Sequence, residues 1–350
     1  MIRAGIIGAN GYTGIELVRL LQRHPQVKLL HAGSRSLDGM PYGDEIGSLR
    51  NRIELDFRDA SLEETAADCD VVFLALPHGI ASAQVTSTIL KHSCIIDLGA
   101  DYRLKSRSVY EKWYGVEHGS PQLLEQAVYG LPEIVGRKAI SDKNLIANPG
   151  CYTTASILST APIARAGIGT VPYIIDAKSG VSGAGRQASQ GLMFGEVNES
   201  IKAYKLKAHR HTPEIEQMLE QLAGSEVSVQ FTPHLVPMNR GILTTTYIRP
   251  TEEISGQLTG AKLRGLYEDM YGRETFIRLL PEGVFPETRW VRGSNYVDIG
   301  LTYDQRTGLI IVVAAIDNLV KGAAGQAVQN MNIRFGFEEV EGLGDFPLFP

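Results

Sequence analysis

The residue best equipped for covalent chemistry is Cys151, in the run Asn148-Pro149-Gly150-Cys151-Tyr152-Thr153-Thr154. An apolar, strand-like stretch ends at Asn148, a Pro-Gly pair forces a turn, and the pattern beyond predicts a helix from Thr153 to about Ala166. A thiol at the mouth of a helix meets N–H groups and the positive end of the dipole, which stabilise a thiolate. The same N–H groups can hold the oxyanion formed when that thiolate attacks a carbonyl. A small, half-buried core cysteine would look alike in isolation, so the reading needs a proton acceptor elsewhere. His209-Arg210-His211-Thr212-Pro213-Glu214 offers two imidazoles just before a helix for which Thr212 is the expected cap and Pro213 the first residue. A carboxylate at Glu214, one turn on, could orient His211; His209 has no obvious partner, and the choice between the two stays open. A metal pair or a polar surface loop could also place two histidines this way, but no further ligands cluster nearby and no metal is expected.

A second constellation opens the chain. Ile2 to Ile7 reads as a buried strand, followed by Gly8-Ala9-Asn10-Gly11-Tyr12-Thr13-Gly14 and a helix from about Tyr12 to His24. Strand, glycine turn and helix are the context of a dinucleotide fingerprint, here in the variant spacing G-x-x-G-x-x-G. The early glycines let the backbone approach a pyrophosphate, and Gly14 lets the helix pack closely on the strand. The second strand, Val27 to Gly33, runs into Ser34-Arg35-Ser36 where an NAD site would place a carboxylate. A guanidinium between hydroxyls suits a 2'-phosphate, so NADP(H) is the expected cofactor, with Asp38 nearby as the feature that argues the other way.

Further strands are expected at Asp70–Leu76, Cys94–Leu98 and Asn144–Asn148, with a helix from Ile80 to Lys91 and a loop-rich excursion over 37–69. Gly8–Gly14, Ser34–Arg35, Pro77-His78-Gly79 and Gly99–Arg103 all fall at carboxyl ends of such strands, where ligands bind. Later in the chain a strand from Val171 to Lys178 enters Ser179-Gly180-Val181-Ser182-Gly183-Ala184-Gly185-Arg186, small residues and a cation suited to closing over an anionic substrate. Arg103, Lys178 and Arg186 are the candidate cations for that substrate.

The bulk numbers are those of an ordinary globular protein. At 350 residues two domains are expected. A net charge of -5 gives no footprint for nucleic acid or an anionic membrane. No run approaches the ~18 apolar residues of a membrane span. Three widely spaced cysteines, Cys69, Cys94 and Cys151, argue against a disulfide framework. The immediate first strand leaves no room for a signal peptide, and a reducing cytoplasm is the expected location.

Taken in order, these motifs resemble the N-acetyl-γ-glutamyl-phosphate reductases, within the semialdehyde dehydrogenase and glyceraldehyde-3-phosphate dehydrogenase-like superfamily. The matching stretches are Gly8–Gly14, Leu76–Gly79, Asp97–Arg103, Tyr129–Glu133, Asn148–Cys151, Ser179–Arg186, Ala203-Tyr204, His209–Glu214 and Gly293–Tyr296. The resemblance implies an α/β fold: a Rossmann-type doubly wound parallel sheet plus an α+β substrate domain with a mixed sheet. It implies a discontinuous NADP-binding domain, 1–148 with 318–350, around a catalytic, substrate and oligomerisation domain, 149–317. Phe231 to Tyr247 and Asn295 to Tyr303 would be strands of the mixed sheet. Cys151 would be the acyl-accepting nucleophile, with His209, His211 and Glu214 completing the catalytic set. Gly8, Asn10, Gly11, Tyr12, Thr13, Gly14, Ser34, Arg35, Ser36, Pro77, His78, Gly180, Gly183 and Asn318 would serve the cofactor. Asn148, Arg103, Lys178, Ser179, Ser182, Arg186 and Tyr204 would serve the substrate. The implied reaction is NADPH-dependent reductive dephosphorylation of N-acetyl-γ-glutamyl phosphate, a small-molecule acyl phosphate, to N-acetyl-L-glutamate 5-semialdehyde through a cysteine thioester, in arginine biosynthesis, by a homodimer or homotetramer. The alternatives are a reductase of carrier-protein-linked aminoadipyl phosphate in lysine synthesis, an aspartate-semialdehyde dehydrogenase, and a catalytically silent NADP-binding regulator.

Overall fold

The structure, a computed structural model, describes residues 1–348; the last two residues of the 318–350 segment lie outside the described residues. The apolar runs of the N-terminal part become β1 (Ile2–Ile7), β2 (Val27–Gly33), β3 (Phe57–Arg58), β4 (Val71–Leu74), β5 (Cys94–Asp97), β6 (Val128–Tyr129) and β7 (Leu145–Ala147). They form one sheet in the order β3-β2-β1-β4-β5-β7-β6, every pairing parallel. All residues of β4 and β5 are buried. Strands covered on both faces need apolar side chains on both, so these segments read as unbroken apolar runs. The strand order reverses at β1 and β4, the topological switch beyond which ligands bind in such sheets.

This sheet belongs to a unit made of Met1–Gly150 and Ala323–Asp345. The returning helix, Gly325–Phe335, is buried from Gly325 to Ile333 although it carries four amide side chains there. Those amides have partners: Asn330 donates to the Gly130 carbonyl (2.9 Å) and to Asn148 Oδ1 (3.0 Å), and Asn332 Oδ1 meets His24 Nε2 at 2.9 Å. Burying polar groups costs little where they are satisfied; the exception here is Gln326 Oε1, which is buried without a hydrogen-bond partner.

Several local expectations are corrected. The loop-rich 37–69 stretch also contains edge strand β3 and a helix, Leu62–Asp68, opened by a capping box in which Ser61 and Glu64 bond reciprocally. The Ile80–Lys91 helix is two short helices, Ile80–Gln84 and Ile89–His92. The intervening Val85-Thr86-Ser87-Thr88 is rich in β-branched residues, which helices tolerate poorly. Glu16 on the first helix lies at 2% exposure and meets Arg19 at 2.6 Å, and Arg19 and Arg23 in turn bind Asp345.

A second unit comprises Cys151–Gly322 with the C-terminal residues from Phe346. Its strands are β8 (Gly169–Gly180), β9 (Lys202–Ala203), β10 (Val229–Val236), β11 (Ile242–Pro250), β12 (Ile277–Leu279), β13 (Val297–Asp304) and β14 (Leu309–Ile316). The sheet runs β12-β13-β14-β11-β8-β10-β9 and is mixed, parallel at β12/β13 and β8/β10 and antiparallel elsewhere. Phe231 to Tyr247 resolves into β10 and β11, which β8 separates, so they do not form a hairpin.

The Cys151–Ala166 helix begins at the cysteine itself, two residues earlier than its apolar pattern suggests, and is buried from Tyr152 to Ala164. Pro162 inside it removes the N–H that would bond the Leu158 carbonyl. Tyr271 supplies the missing donor: its hydroxyl donates to Leu158 O at 2.8 Å, and that of Tyr267 to Ser159 O at 2.5 Å. Both tyrosines lie on the Gly260–Tyr271 helix, which is thereby fastened to the helix that carries the thiol. Along β8, Tyr173, Ile175, Ala177 and Ser179 are buried, while Ile174, Asp176 and Lys178 face the other way.

Candidate active site

At the end of β1 the backbone turns at Gly8 with φ +90, a conformation open to glycine at no steric cost. A Cβ there would strike the Ala75 carbonyl oxygen, and one on Gly14 would strike the Gly8 carbonyl oxygen. A Cβ on Gly11 would make only ordinary contact, 3.7 Å from the Gly8 carbonyl oxygen, and the three glycines shape a bare main-chain cradle at the start of the Tyr12–Leu21 helix. That geometry fits a pyrophosphate approaching backbone amides at a helix N-terminus. Asn10 and Thr13 are half-buried in this turn, and Tyr12 is exposed at its rim. The cradle is stiffened from outside: Gly8 and Ala9 N–H groups donate to Gly33 O at 3.0 and 2.9 Å, and the Tyr42 hydroxyl donates to Ala9 O at 2.9 Å. Sequence reasoning missed Tyr42, which sits in a stretch with no periodicity.

Ser34, Arg35 and Ser36 follow β2 directly. Ser34 is buried, with its Oγ 3.5 Å from that of Ser36, and Arg35 is exposed. Asp38, the carboxylate that argued for a free ribose hydroxyl, accepts the Asp59 N–H at 2.8 Å. Beyond β4, Pro77 is exposed, the His78 ring lies 5.5 Å from that of Tyr114, and Gly79 is left-handed with its N–H on Asp101. Asp101 is a hub, accepting also from Ser82 N–H (2.8 Å) and the Tyr110 hydroxyl (2.6 Å). Asp97, at the end of β5, is fully buried; burial and the neighbouring Asp101 push its carboxyl up to about 7, against Arg103 and the Gly99 N–H. Arg103 is buried and donates to main-chain carbonyls, Nε to Asn148 O at 2.8 Å and Nη2 to Leu98 O at 2.9 Å. Asn148 donates to Ala323 O at 3.0 Å. These two substrate candidates thus brace the strand ends of the first unit.

In the second unit the thiol opens its helix and is half-buried, unlike Cys69 and Cys94, which are buried and whose thiols desolvation pushes up to about 12. Next to Cys151, the Tyr152 ring meets His209 at 5.5 Å, His211 at 6.0 Å and Phe231 at 5.3 Å, all edge-on. The two imidazoles lie 4.8 Å apart, and Tyr204 closes the cage against His209 at 5.6 Å. Phe231, His234 and Tyr152 as members of this cluster were not read from sequence. The β10 pattern and the position after the thiol were the available signals.

The two histidines are not equivalent. His209 is buried, and desolvation followed by the charge of His211 pushes it down to about 2. Its Nδ1 accepts the His211 main-chain N–H at 3.2 Å, which leaves the proton of the neutral ring on Nε2. His211 is half-buried and occupies the cap position of the Thr212–Ala223 helix, so Thr212 is its first residue and Pro213 its second. Glu214, 1% exposed, accepts the Thr153 hydroxyl at 2.8 Å and so ties this helix to the first turn of the Cys151 helix.

Tyr204 donates to the Tyr152 hydroxyl at 3.3 Å, and Tyr152 to His234 O at 3.0 Å. Burial raises both hydroxyls, Tyr204 to about 12, and Cys151 raises them further; both remain protonated donors in electrostatic reach of the thiol. Ser179, on β8, donates its hydroxyl to Gly180 O at 2.9 Å. Beyond β8, Asn318 accepts Gly241 N–H at 2.8 Å and donates to Ser182 Oγ at 2.9 Å, and a Cβ on Gly183 would lie 3.7 Å from its amide nitrogen. A Cβ on Gly180 would strike the Asn239 main chain. Ser179, Gly180, Ser182, Gly183 and Asn318 are thus brought together, with Arg186 exposed on the loop that follows. Lys178 is not: it lies on the opposite face from Ser179 and binds Asp176 at 2.6 Å, which also pairs with His234 at 3.1 Å. Among the described residues no group of three or more His, Cys, Asp or Glu could hold a metal ion, and no helix is long and apolar enough to cross a membrane.

Residues 3–143 match the family model described as semialdehyde dehydrogenase, NAD binding domain, and residues 151–318 the one described as semialdehyde dehydrogenase, dimerisation domain. Among solved structures, aspartate semialdehyde dehydrogenase II of Vibrio cholerae complexed with ASA aligns with TM-score 0.72 at 19% identity, over 96% of this chain and 98% of that one. The NADP-containing aspartate semialdehyde dehydrogenase of Candida albicans aligns with TM-score 0.66 at 16% identity, over 98% and 99%. At such identities the likeness shows the fold. Curated sequences come closer. Proteins named N-acetyl-gamma-glutamyl-phosphate reductase from Heliobacterium modesticaldum and Desulfotalea psychrophila are each 50% identical, over 100% of this chain and 100% of theirs. With a parallel dinucleotide-type sheet, a mixed-sheet unit opening on a half-buried thiol, and half of all residues shared end to end, the chain belongs to the N-acetyl-gamma-glutamyl-phosphate reductase family.

Proposed function

We propose that this protein reduces N-acetyl-γ-glutamyl phosphate to N-acetyl-L-glutamate 5-semialdehyde and inorganic phosphate, with NADPH, as a step of arginine biosynthesis. The observation that carries the reading is Cys151 as the first residue of a buried helix, beside an aromatic cage holding two histidines. The Cys151 thiolate attacks the acyl carbon, the bond from that carbon to the phosphate oxygen breaks, and phosphate departs, leaving a thioester. First-turn amides of the helix are placed to hold the oxyanion. Bound NADPH supplies the hydride that reduces the thioester carbon. A proton delivered to the oxyanion gives a thiohemiacetal; when its hydroxyl loses that proton, the carbon–sulfur bond breaks and the thiolate is restored.

We assign the proton traffic to His211. His209, held near 2, cannot carry a proton in the neutral range; it acts as a neutral wall that orients Tyr152 and Tyr204. Glu214 positions the helix start through Thr153. Ser179, Ser182, Tyr204 and Arg186 supply polar contacts for the substrate. Self-association through the outer face of the mixed sheet accompanies this reading. There Ile174 is 46% exposed and Leu243, Tyr247, Ile311 and Val313 are only half-covered, an apolar stripe that a second copy would bury.

The decisive assay runs in reverse: phosphate-dependent oxidation of N-acetyl-glutamate semialdehyde with NADP+, against aspartate semialdehyde. Turnover of the acetylated substrate at least a hundredfold better is expected; preference for aspartate semialdehyde would overturn the assignment. For the cofactor, Arg35→Ala should raise KM for NADPH about tenfold, the loss of one charge-assisted contact, and leave that for NADH within twofold. Equal effects on both would show that Arg35 does not read the 2'-phosphate.

A further inference from the structure

β14 does not run straight into the Gly325–Phe335 helix. Asp317, fully buried, intervenes. Its Oδ1 accepts the N–H groups of Leu319 (2.8 Å) and Val320 (3.3 Å), and its Oδ2 accepts Gly293 N–H (2.7 Å) and an Arg240 guanidinium N–H (3.4 Å). Its main-chain carbonyl accepts Gly322 N–H at 3.0 Å, a bond spanning five residues instead of four. The segment Val320–Ala324 is accordingly a π turn. Lys321 within it has no exposed surface, and its ammonium lies 5.5 Å from the Phe276 ring. The turn is pinned at its start by a carboxylate and in its middle by a buried side chain. Such single π turns recur at functional sites, where the extra residue redirects the chain.

Here the redirected residue is Gly322, and it faces the nucleophile. A Cβ on Gly322 would lie 2.9 Å from Cys151 Cβ, 3.2 Å from Cys151 Cα and 3.3 Å from Ile316 Cδ1. The first two atoms are the root of the nucleophilic side chain and its own backbone, neither of which can swing aside. Gly322 is not among the glycines with positive φ, so its backbone conformation would accept alanine. Space against Cys151 is the local reason for glycine.

We propose that Gly322, held by the π turn, is a positioning residue for the nucleophile: its bare main chain fixes the direction of the Cys151 Cα–Cβ bond and hence the place where Sγ meets the acyl carbon. This rests on the thioester reading above. The test is Gly322→Ala. Alkylation of Cys151 by iodoacetamide, followed between pH 6 and 8 where Cys69 and Cys94 stay protonated and buried, should slow at least fivefold. The enzyme's kcat should fall tenfold or more, and the dissociation constant for NADPH should stay within twofold. An unchanged alkylation profile with unchanged kcat in folded protein overturns the proposal. A stability cycle covers a variant that folds poorly. In a Cys151→Gly background, which removes the opposing Cβ, the drop in thermal midpoint caused by Gly322→Ala should be less than half that in the parent. An equal drop, or failure of both variants to fold, overturns it too. Retained turnover in Cys151→Ser would sink the thioester reading while leaving this packing measurement standing.

Discussion

Cys151→Ser should lower turnover by about 10³-fold or more while NADPH still binds with nearly its original affinity. Loss of an attacking nucleophile removes a step that the rest of the site cannot substitute, and such losses range upward from about 10³. A serine hydroxyl is fully protonated near neutrality, and an oxygen ester accepts hydride far less readily than a thioester. The cofactor cradle at Gly8, Gly11 and Gly14 belongs to the other unit and is untouched by the change. Stopped-flow absorbance of bound NADPH and a titration of its fluorescence separate the two effects. Turnover within tenfold of the parent would remove Cys151 from the reaction, and with it the proposed function.

The second large effect separates the two histidines. His211→Asn should lower kcat about 10²- to 10⁴-fold, the usual range for a lost general acid–base group, and should flatten the limb of the pH–rate profile that this base sets. His209→Gln should act differently. A group already held near 2 is neutral on both sides of any limb between pH 5 and 9, so its removal takes no titrating group away and leaves such a limb in place. The loss should instead be a smaller fall in kcat with a raised KM, from the loosened Tyr152 and Tyr204 rings. A limb that survives in His211→Asn and vanishes in His209→Gln would reverse the assignment.

What the sequence discloses and what it hides follow one division. Local signals carried well: the glycine turn after β1, Ser34–Ser36 after β2, the Pro-Gly pair before the thiol and the fully apolar β4 all have their structural counterparts where short-range chemistry puts them. Partnerships across long stretches of chain did not carry. The tie from Arg19, which pairs with Glu16, to Asp345 is one such case, whereas the alternation along β8 that turns Lys178 away from Ser179 and toward Asp176 is local and was readable. The capping box Ser61–Glu64 was legible and overlooked, since glycine, proline and charge nearby suggested loop. The π turn is the opposite case. Asp317 reads as a helix cap, but a five-residue bond has no sequence mark, and the contact it creates with Cys151 joins residues far apart in the chain. The tyrosine hydroxyl standing in for the N–H lost at Pro162 is hidden for the same reason.

The returning segment Ala323–Asp345 has a consequence for how the protein is made. Synthesis proceeds from the N-terminus, and domains tend to fold as they emerge. Residues 151–322 leave the ribosome as one stretch and can collapse while translation continues. The first unit waits, because the helix Gly325–Phe335 that supplies buried partners to His24, Gly130 and Asn148 appears only after residues 151–322. A chain stopped near residue 320 would therefore hold a complete second unit and a first unit whose His24, Gly130 and Asn148 lack these partners.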